Sequence, residues 1–372
     1  MKQKQLKLIM LFCIGVLFIA SRSFGQANPF INVLPSNSGI VSVGDTIDIV
    51  VTIGNTGPVS TVPQAKLRPI IQVPPSVTFL PTAAQTGLPV GWTILSNTGS
   101  QLRVCNSTDP ISINTTRTIT LKVQGVTVTG PQTFSGNINF GNGTTCAAGP
   151  TVTGDVTTDN SALSTIEVKP KLNLTAYIQG YYGSANAAVG EMAPVLNNAE
   201  MAGEPTIVGS TLTQCDTITV QLRDDTTYAV AYTFKGILNT NGTMSCTFPG
   251  AALGNSYYIA LQHRNALETW SASPVLISPT STYNFSTSAS QAYNDNQIEV
   301  ATGKFAIYSG DIERVNGPGV LDFDDSNIWE SDYNNFGAMY ISTDLNGDGT
   351  IDFLDINIWE SNYNNFISVQ KP

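Results

Sequence analysis

The chain has 372 residues and a formal net charge of −10, from 17 Lys and Arg against 27 Asp and Glu, with a single histidine. That length suffices for two or three domains. The acidic balance argues against a nucleic-acid binder or a protein held to an anionic membrane by charge. One histidine leaves too few ligands for a His-based zinc centre.

The chain opens with the basic segment Met1-Lys2-Gln3-Lys4-Gln5-Leu6-Lys7, then an apolar run over residues 8–20, then the small-x-small triplet Ser23-Phe24-Gly25. This order reads as a secretory signal peptide over residues 1–25, too short for a membrane span, with Gln26 as the expected start of the exported chain. Cys13 follows Phe12, where a lipid-anchored leader needs a small residue, so no lipid anchor is expected there. No later run is long and apolar enough for a bilayer. Removal of Lys2, Lys4, Lys7 and Arg22 with the leader takes the charge from −10 to −14. Export makes the remaining cysteines, Cys105, Cys146, Cys215 and Cys246, candidates for disulfides. Of their three possible pairings, one pair per domain is the simplest: Cys105 with Cys146 and Cys215 with Cys246.

Residues 26–168 are rich in Thr, Val, Ile, Asn, Gly and Pro. Residues 46–53 place Ile47, Ile49, Val51 and Ile53 on every second position, and residues 118–123 alternate in the same way; both are expected to be half-buried strands. Gly54-Asn55-Thr56-Gly57-Pro58 and Asn97-Thr98-Gly99-Ser100 are turn signals. Many short strands with frequent turns predict a β-sandwich. The run from Gly44 to Pro58, with Val73-Pro74-Pro75-Ser76-Val77-Thr78-Phe79 and Asp159-Asn160-Ser161-Ala162, resembles the DUF11-type immunoglobulin-like repeats of bacterial surface proteins. That resemblance implies a spacer or an adhesive surface.

Lys169-Pro170 reads as a linker into a second β-sandwich over residues 169–305. Strands are expected over residues 172–182, 217–223, 245–248 and 257–261, with a loop over 183–209. The order of these runs resembles transthyretin-like or Cna-B-like sandwiches of exported proteins, a likeness of fold alone.

The most specific stretch lies near the C-terminus: Asp344-Leu345-Asn346-Gly347-Asp348-Gly349-Thr350-Ile351-Asp352-Phe353-Leu354-Asp355. Oxygen side chains stand at loop positions 1, 3, 5, 9 and 12, and a glycine at position 6, which is the EF-hand calcium pattern. A hard cation wants six to eight oxygens, and a loop curling around it turns alternate side chains inward. The expected ligands are Asp344, Asn346, Asp348, the Thr350 carbonyl, Asp352 (through water) and Asp355. Position 12 is Asp355 where a standard EF-hand has Glu. The end of this loop and the run after it repeat an earlier segment. Residues 320–336 recur as residues 350–366, with Trp329-Glu330-Ser331 matching Trp359-Glu360-Ser361 and Tyr333-Asn334-Asn335-Phe336 matching Tyr363-Asn364-Asn365-Phe366. Ile328, Trp329, Tyr333 and Phe336, like Ile358, Trp359, Tyr363 and Phe366, fall at helical spacings. Neither short helix could bury that face alone, so the two are expected to pack on each other.

A tandem pair of calcium-type loops, each followed by one helix, resembles a type I dockerin, here over residues 306–372. The resemblance implies a Ca²⁺-dependent module that docks to an extracellular protein of the cohesin kind. The helices carry Trp-Glu-Ser and Tyr-Asn-Asn-Phe where dockerins usually show a basic and aliphatic pattern. The first loop departs from the motif. Counting back from Asp325 puts Arg314 at position 1 and Pro318 at position 5; pairing Asp311 with Asp344 instead gives the loop three extra residues. In that second alignment Asp311, Glu313, Asn316, Asp322 and Asp325 could gather around a second ion. Residues 306–372 hold twelve Asp and Glu against two Lys and Arg, so the negative charge is concentrated where calcium is expected.

Catalytic motifs are sparse. His263 stands in Gln262-His263-Arg264-Asn265, with no G-x-S-x-G anywhere in the chain, and reads as a polar strand-end residue. Glu191, Glu200, Glu204, Asp224, Asp225 and Glu268 are acids that a glycosidase could use, but none lies in a recognisable motif. Tyr181, Tyr182, Tyr257, Tyr258 and Trp270 could stack on sugars or fill a core. The sequence therefore predicts a mainly β, exported, non-enzymatic bacterial protein. Two sandwiches, immunoglobulin-like and then transthyretin-like, precede a small helical EF-hand-type module. The expected work is attachment or assembly at the cell surface through a protein or glycan partner. The alternative is a dockerin-bearing accessory, or a glycoside hydrolase, of polysaccharide breakdown.

Overall fold

The structure is a computed structural model that describes residues 26–197, 209–313, 319–338 and 340–372. The signal-peptide reading, Glu200, Glu204, Arg314, Asn316 and Pro318 lie outside the described residues.

The chain is mainly β. Strand Thr46–Asn55 forms where the alternation predicts it: Ile47, Ile49, Val51 and Ile53 point into the core. It pairs antiparallel with Thr116–Gly125, setting Val51 opposite Ile119 and Ile49 opposite Leu121, so both apolar sets face one side. Pro29–Pro35 and Val77–Phe79 complete this four-stranded sheet on either edge. A six-stranded sheet lies against it, in the order Ile40–Ser42, Ser161–Lys169, Thr129–Asn137, Ile70–Gln72, Gln101–Cys105, Thr93–Asn97. The two share one apolar core, in which Val33, Ile49, Ile53, Leu102, Ile119, Leu121 and Phe134 are essentially solvent-free. Fully burying each such side chain contributes roughly 1.5–3 kcal/mol. Cys105, at the end of its strand, is disulfide-bonded to Cys146 across 41 residues of sequence.

Strand Ser161–Lys169 passes through Pro170 directly into Lys171–Thr175. The junction is packed: Ser42 and Thr247 hydroxyls meet at 3.0 Å, and Lys171 pairs with Asp45 at 2.5 Å. Lys171–Thr175 lies between Thr243–Thr247 and Thr280–Asn284 in a three-stranded sheet. Facing it is a five-stranded sheet built on Val230–Asn239, Gln214–Asp224, Ser256–His263 and Ala266–Trp270, with Val275–Leu276 added beside Ser256–His263. A second core fills the space between them, including Leu172, Leu174, Val220, Leu222, Phe248, Ile259 and Phe285.

Two sequence expectations fail here. The strand expected over residues 172–182 ends at Thr175. Ala176, Tyr177, Ile178 and Tyr181 are all buried, and the chain turns there, with the Tyr181 and Tyr182 amides donating back to the Ile178 carbonyl at 3.2 and 3.1 Å. Apolar positions continue past Thr175, and local pattern alone does not distinguish a strand from a buried turn. The Cys215–Cys246 disulfide is also absent: both are free, buried thiols. Cys215 lies on Gln214–Asp224 and Cys246 on Thr243–Thr247, strands of the two facing sheets. They behave as small core side chains; Cys215 sits 3.9 Å from the Met192 sulfur, and burial pushes the Cys246 thiol up to about 12.

After the hairpin Ile298–Ala301/Lys304–Ala306 come two helices, α1 (Phe323–Asn334) and α2 (Phe353–Asn364). A third core joins Leu321, Trp329, Leu345, Ile351 and Trp359 to Leu267, which comes from the five-stranded sheet. Among the described residues, no helix is long and apolar enough to cross a membrane.

Candidate functional site: two loop–helix repeats docked on the second sandwich

The C-terminal segment is built twice on one hydrogen-bond skeleton. In the second repeat, the Asp355 carboxylate accepts the Leu345 and Asn346 amides on Oδ1, at 2.8 and 3.1 Å, and the Asp352 amide on Oδ2 at 2.9 Å. Asp352 is the N-cap of α2 and forms a capping box with Asp355. In the first repeat, the Asp325 carboxylate accepts the Ile312 and Glu313 amides at 2.7 Å each and the Asp322 amide at 3.0 Å; Asp322 caps α1 in the same way. These bonds align Ile312 with Leu345 and Glu313 with Asn346. Asp311 therefore corresponds to Asp344, and of the two sequence alignments the structure selects the one with three extra residues. The Asp311 carboxylate accepts the Gly319 amide at 3.2 Å.

The repeats also exchange their ends. Val320 bridges Ser368, beyond α2, while Thr350 bridges Ala338, beyond α1. Trp329 stacks on Tyr333 and Trp359 on Tyr363, with interplanar angles of 16° and 14°. Phe323 crosses to Tyr363 at 5.2 Å and Phe353 crosses to Tyr333 at 5.5 Å. The helices thus share their aromatic faces, as the spacing predicts. Yet Phe323 and Phe353 remain 64% exposed, and Phe336 and Phe366 are 92% and 90% exposed. The last two also hold a left-handed backbone, with φ of 55° and 53°. That conformation costs a side-chain-bearing residue about 1–2 kcal/mol.

In the second loop, Asp344 Oδ1 and Oδ2 accept the Gly347 and Gly349 amides at 2.8 and 3.0 Å, and Asn346 and Asp348 bond each other. Gly347 and Gly349 take the positive φ that the tight turn requires. Burial, then the neighbouring Asp355, push the Asp344 carboxyl up to about 7; burial pushes Asp355 up to about 6 against its amide bonds. Two buried acids, Asp344 raised in part by Asp355 and Asp355 in part by Asp348, among oxygen donors, fit a hard divalent cation by chemistry. Asp344, Asn346, Asp348, the Thr350 carbonyl, Asp352 and Asp355 are the groups that would hold it. Among the described residues, however, no three His, Cys, Asp or Glu side chains already converge as a metal site. The carboxylates are turned onto backbone amides instead. Of the first-loop candidates, Asp311, Glu313 and Asp325 are buried, Asp322 is half-buried, and Asn316 lies outside the described residues.

The loop does not stand free; it is seated on the second sandwich. Asp344 is fully buried, and its carbonyl accepts Asn265 Nδ2 at 2.9 Å. Asn362 of α2 donates to Gln179 Oε1 and to the Ser309 carbonyl, each at 2.7 Å. Beneath lies a buried charge cluster that sequence reading misses. Asp216 accepts Arg264 Nε at 2.9 Å and the Tyr340 hydroxyl at 2.7 Å, and pairs with His263 Nε2 at 3.0 Å. Burial works to raise the Asp216 carboxyl, but Arg264 and His263 outweigh it and hold it well below the usual carboxylate range. Arg264 continues the chain of contacts to the Tyr181 hydroxyl and the Ile341 carbonyl. The one available signal was an acid, Asp216, set between Cys215 and the alternating Thr217-Ile218-Thr219-Val220 run. A cleft of about 690 Å³ opens beside this cluster, with Thr217, Thr219, Gln262, Glu268, Tyr340 and Lys371 in its walls.

Of the aromatic candidates, Tyr181, Tyr257 and Trp270 are core residues, 0%, 7% and 2% exposed; Tyr182 and Tyr258 are half-buried, and Tyr258 packs against Trp270 at 5.9 Å. Asp224 caps its own turn by accepting the Thr226 and Thr227 amides. Glu268 accepts Gln262 and Trp270 side chains at 2.5 Å each, and Glu191 accepts the Thr240 hydroxyl.

No protein-family model matches this chain, and no curated protein matches it. Among solved structures it is similar to the major pilin subunit BcpA of Bacillus cereus, at 12% identity over 69% of this chain and 69% of that one, with a TM-score of 0.24. It is similar also to a 35 kDa C-terminal fragment of the major pilin GBS80 of Streptococcus agalactiae, at 7% identity over 68% and 92%, TM-score 0.27. A third is a cohesin module from a Clostridium perfringens family 33 glycoside hydrolase, at 10% identity over 38% and 96%, TM-score 0.26. At such scores no function follows.

Proposed function

We propose that this is an exported, non-catalytic protein of the bacterial cell exterior, in which two β-sandwiches carry a calcium-stabilised, dockerin-like C-terminal module that docks to another extracellular protein. The observation that carries the reading is the duplicated aromatic face: Phe323, Phe336, Phe353 and Phe366 stand exposed at matching positions of two repeats, two of them in a strained left-handed backbone. Exposed apolar clusters on a soluble surface mark interaction sites; the left-handed turn at Phe336 and Phe366 ends each helix, with the Gly337 and Ile367 amides returning to the Asp332 and Asn362 carbonyls. Both helices are acidic and carry no Lys or Arg, so the partner surface should be apolar at its centre and basic at its rim. A bound calcium ion would neutralise Asp344 and Asp355 and fix the two helices relative to each other.

The test uses the full exported chain immobilised and probed with extracellular protein fractions of its own host, with calcium and with chelator. A protein retained only with calcium, and lost on Phe336→Ala with Phe366→Ala, supports the reading. Retention that ignores both changes would sink it.

A further inference from the structure

The second sandwich touches the calcium-type loop along the backbone that carries its first ligand positions. At Gly180 an added Cβ would stand 2.0 Å from the Leu345 carbonyl oxygen, so only glycine lets the loop backbone approach there. The contact is reciprocal. A Cβ on Gly347 would stand 2.5 Å from Val195 and 3.0 Å from the Tyr181 ring. Asn265, itself fully buried, fixes the carbonyl of Asp344, the first loop position, and also donates to the Tyr181 hydroxyl at 3.2 Å. Loop positions 1, 2 and 4 are thus all seated on the sandwich. Leu267 continues the seat by joining the core of Leu345, Trp329 and Trp359.

We propose that the second sandwich forms the outer wall of the 344–355 loop, with Gly180 and Asn265 as positioning residues, so that cation binding and docking of the C-terminal helices are one coupled equilibrium. This rests on the calcium reading above. The physical reason is linkage. A loop backbone that must be ordered both to hold an ion and to fit the sandwich pays that ordering once, so each event favours the other. Coupling of this kind typically changes an affinity about 5–150-fold. The C-terminal segment is then no autonomous module on a tether. Calcium sets the rigidity of the junction between the exposed aromatic face and the sandwiches.

The test uses the full exported chain. Calcium affinity is measured by calorimetry for wild type, Gly180→Ala, Asn265→Ala and the loop variant Asp348→Ala. Amide exchange is followed over residues 176–182 and 263–267, which lie outside the loop. The expected result is calcium affinity at least about fivefold weaker in Gly180→Ala and Asn265→Ala, although every loop ligand is intact. In wild type, chelation should speed exchange in both segments, and Asp348→Ala should abolish that calcium response. A merely structural role predicts otherwise: Asn265→Ala would lower the melting temperature equally with and without calcium, whereas coupling makes the penalty larger with calcium. Circular dichroism identifies any variant that fails to fold, and the wild-type exchange comparison decides the matter without variants. Calcium binding with unchanged exchange in both segments overturns the inference and leaves the calcium reading standing. No calcium binding by wild type at millimolar calcium overturns both.

Discussion

Asp325 and Asp355 do the same work thirty residues apart: each carboxylate gathers two consecutive amides at the start of its own loop and one amide at the N-cap of its own helix. Each side chain is therefore a structural staple before any ion is considered. Asp355→Ala removes the two carboxylate oxygens that accept three backbone amides, each bond contributing roughly 0.5–1.5 kcal/mol net. It should lower the melting temperature even in chelator. Asp348→Ala, at a half-buried position with fewer such bonds, should chiefly remove the response to calcium. Thermal melts of the two variants with calcium and with chelator separate these roles. Equal behaviour of both in chelator would contradict the staple.

Without calcium the protein should be stabilised by mild acid. Asp344 and Asp355 have folded-state values of about 7 and about 6, above the unfolded value near 4. The folded state then binds more protons between these values, so stability is present at low pH and lost as pH rises through 6 to 7. Asp216 runs the other way: its depressed carboxyl contributes stability above the unfolded value and loses it on acidification. The chelated protein should therefore melt higher at pH 5 than at pH 8, with a decline below pH 4. Calcium competes with the protons and should flatten the slope between pH 5 and 8. A chelated protein that melts higher at pH 8 would refute the assignment.

Only one disulfide should be found. Peptide mapping without reduction should link Cys105 to Cys146 and leave Cys215 and Cys246 free, alkylated only after denaturation. Closing a loop of this size stabilises by roughly 3–4 kcal/mol in the chain-entropy model, so reduction should lower the melting of the first sandwich selectively. A Cys215–Cys246 link would contradict the two free thiols of the second core.

What the sequence made legible follows the range of the forces involved. The strand Thr46–Asn55 and the two helices are written in local periodicity. The order of strands in the sheets is set by pairings far apart in sequence, as in Lys171–Thr175 beside Thr280–Asn284, and no local pattern records it. Counting cysteines could not tell a bonded pair from two thiols on facing sheets. The seat of the calcium-type loop was the least legible part, because its main contacts are backbone carbonyls meeting Gly180 and Asn265. A glycine inside an apolar run gives no sign of which carbonyl approaches it. The buried partners of His263 were hidden for the same reason, Asp216 lying 47 residues away.

The aromatic residues of the repeats should divide into two classes with opposite phenotypes. Trp329 and Trp359 are 7% and 6% exposed and stack on Tyr333 and Tyr363 within the shared core. Truncating either to Ala should cost about 3–5 kcal/mol and loosen both helices, seen as lost near-ultraviolet circular dichroism. Phe336 and Phe366 bury almost nothing, so Phe→Ala there should change stability by no more than about 0.5 kcal/mol. Replacement by Gly should stabilise, because it relieves the left-handed backbone. Partner retention should follow the reverse order of cause: Phe336→Ala with Phe366→Ala loses the partner while the fold is intact. A double variant that keeps both its fold and its partner would move the interface away from this face.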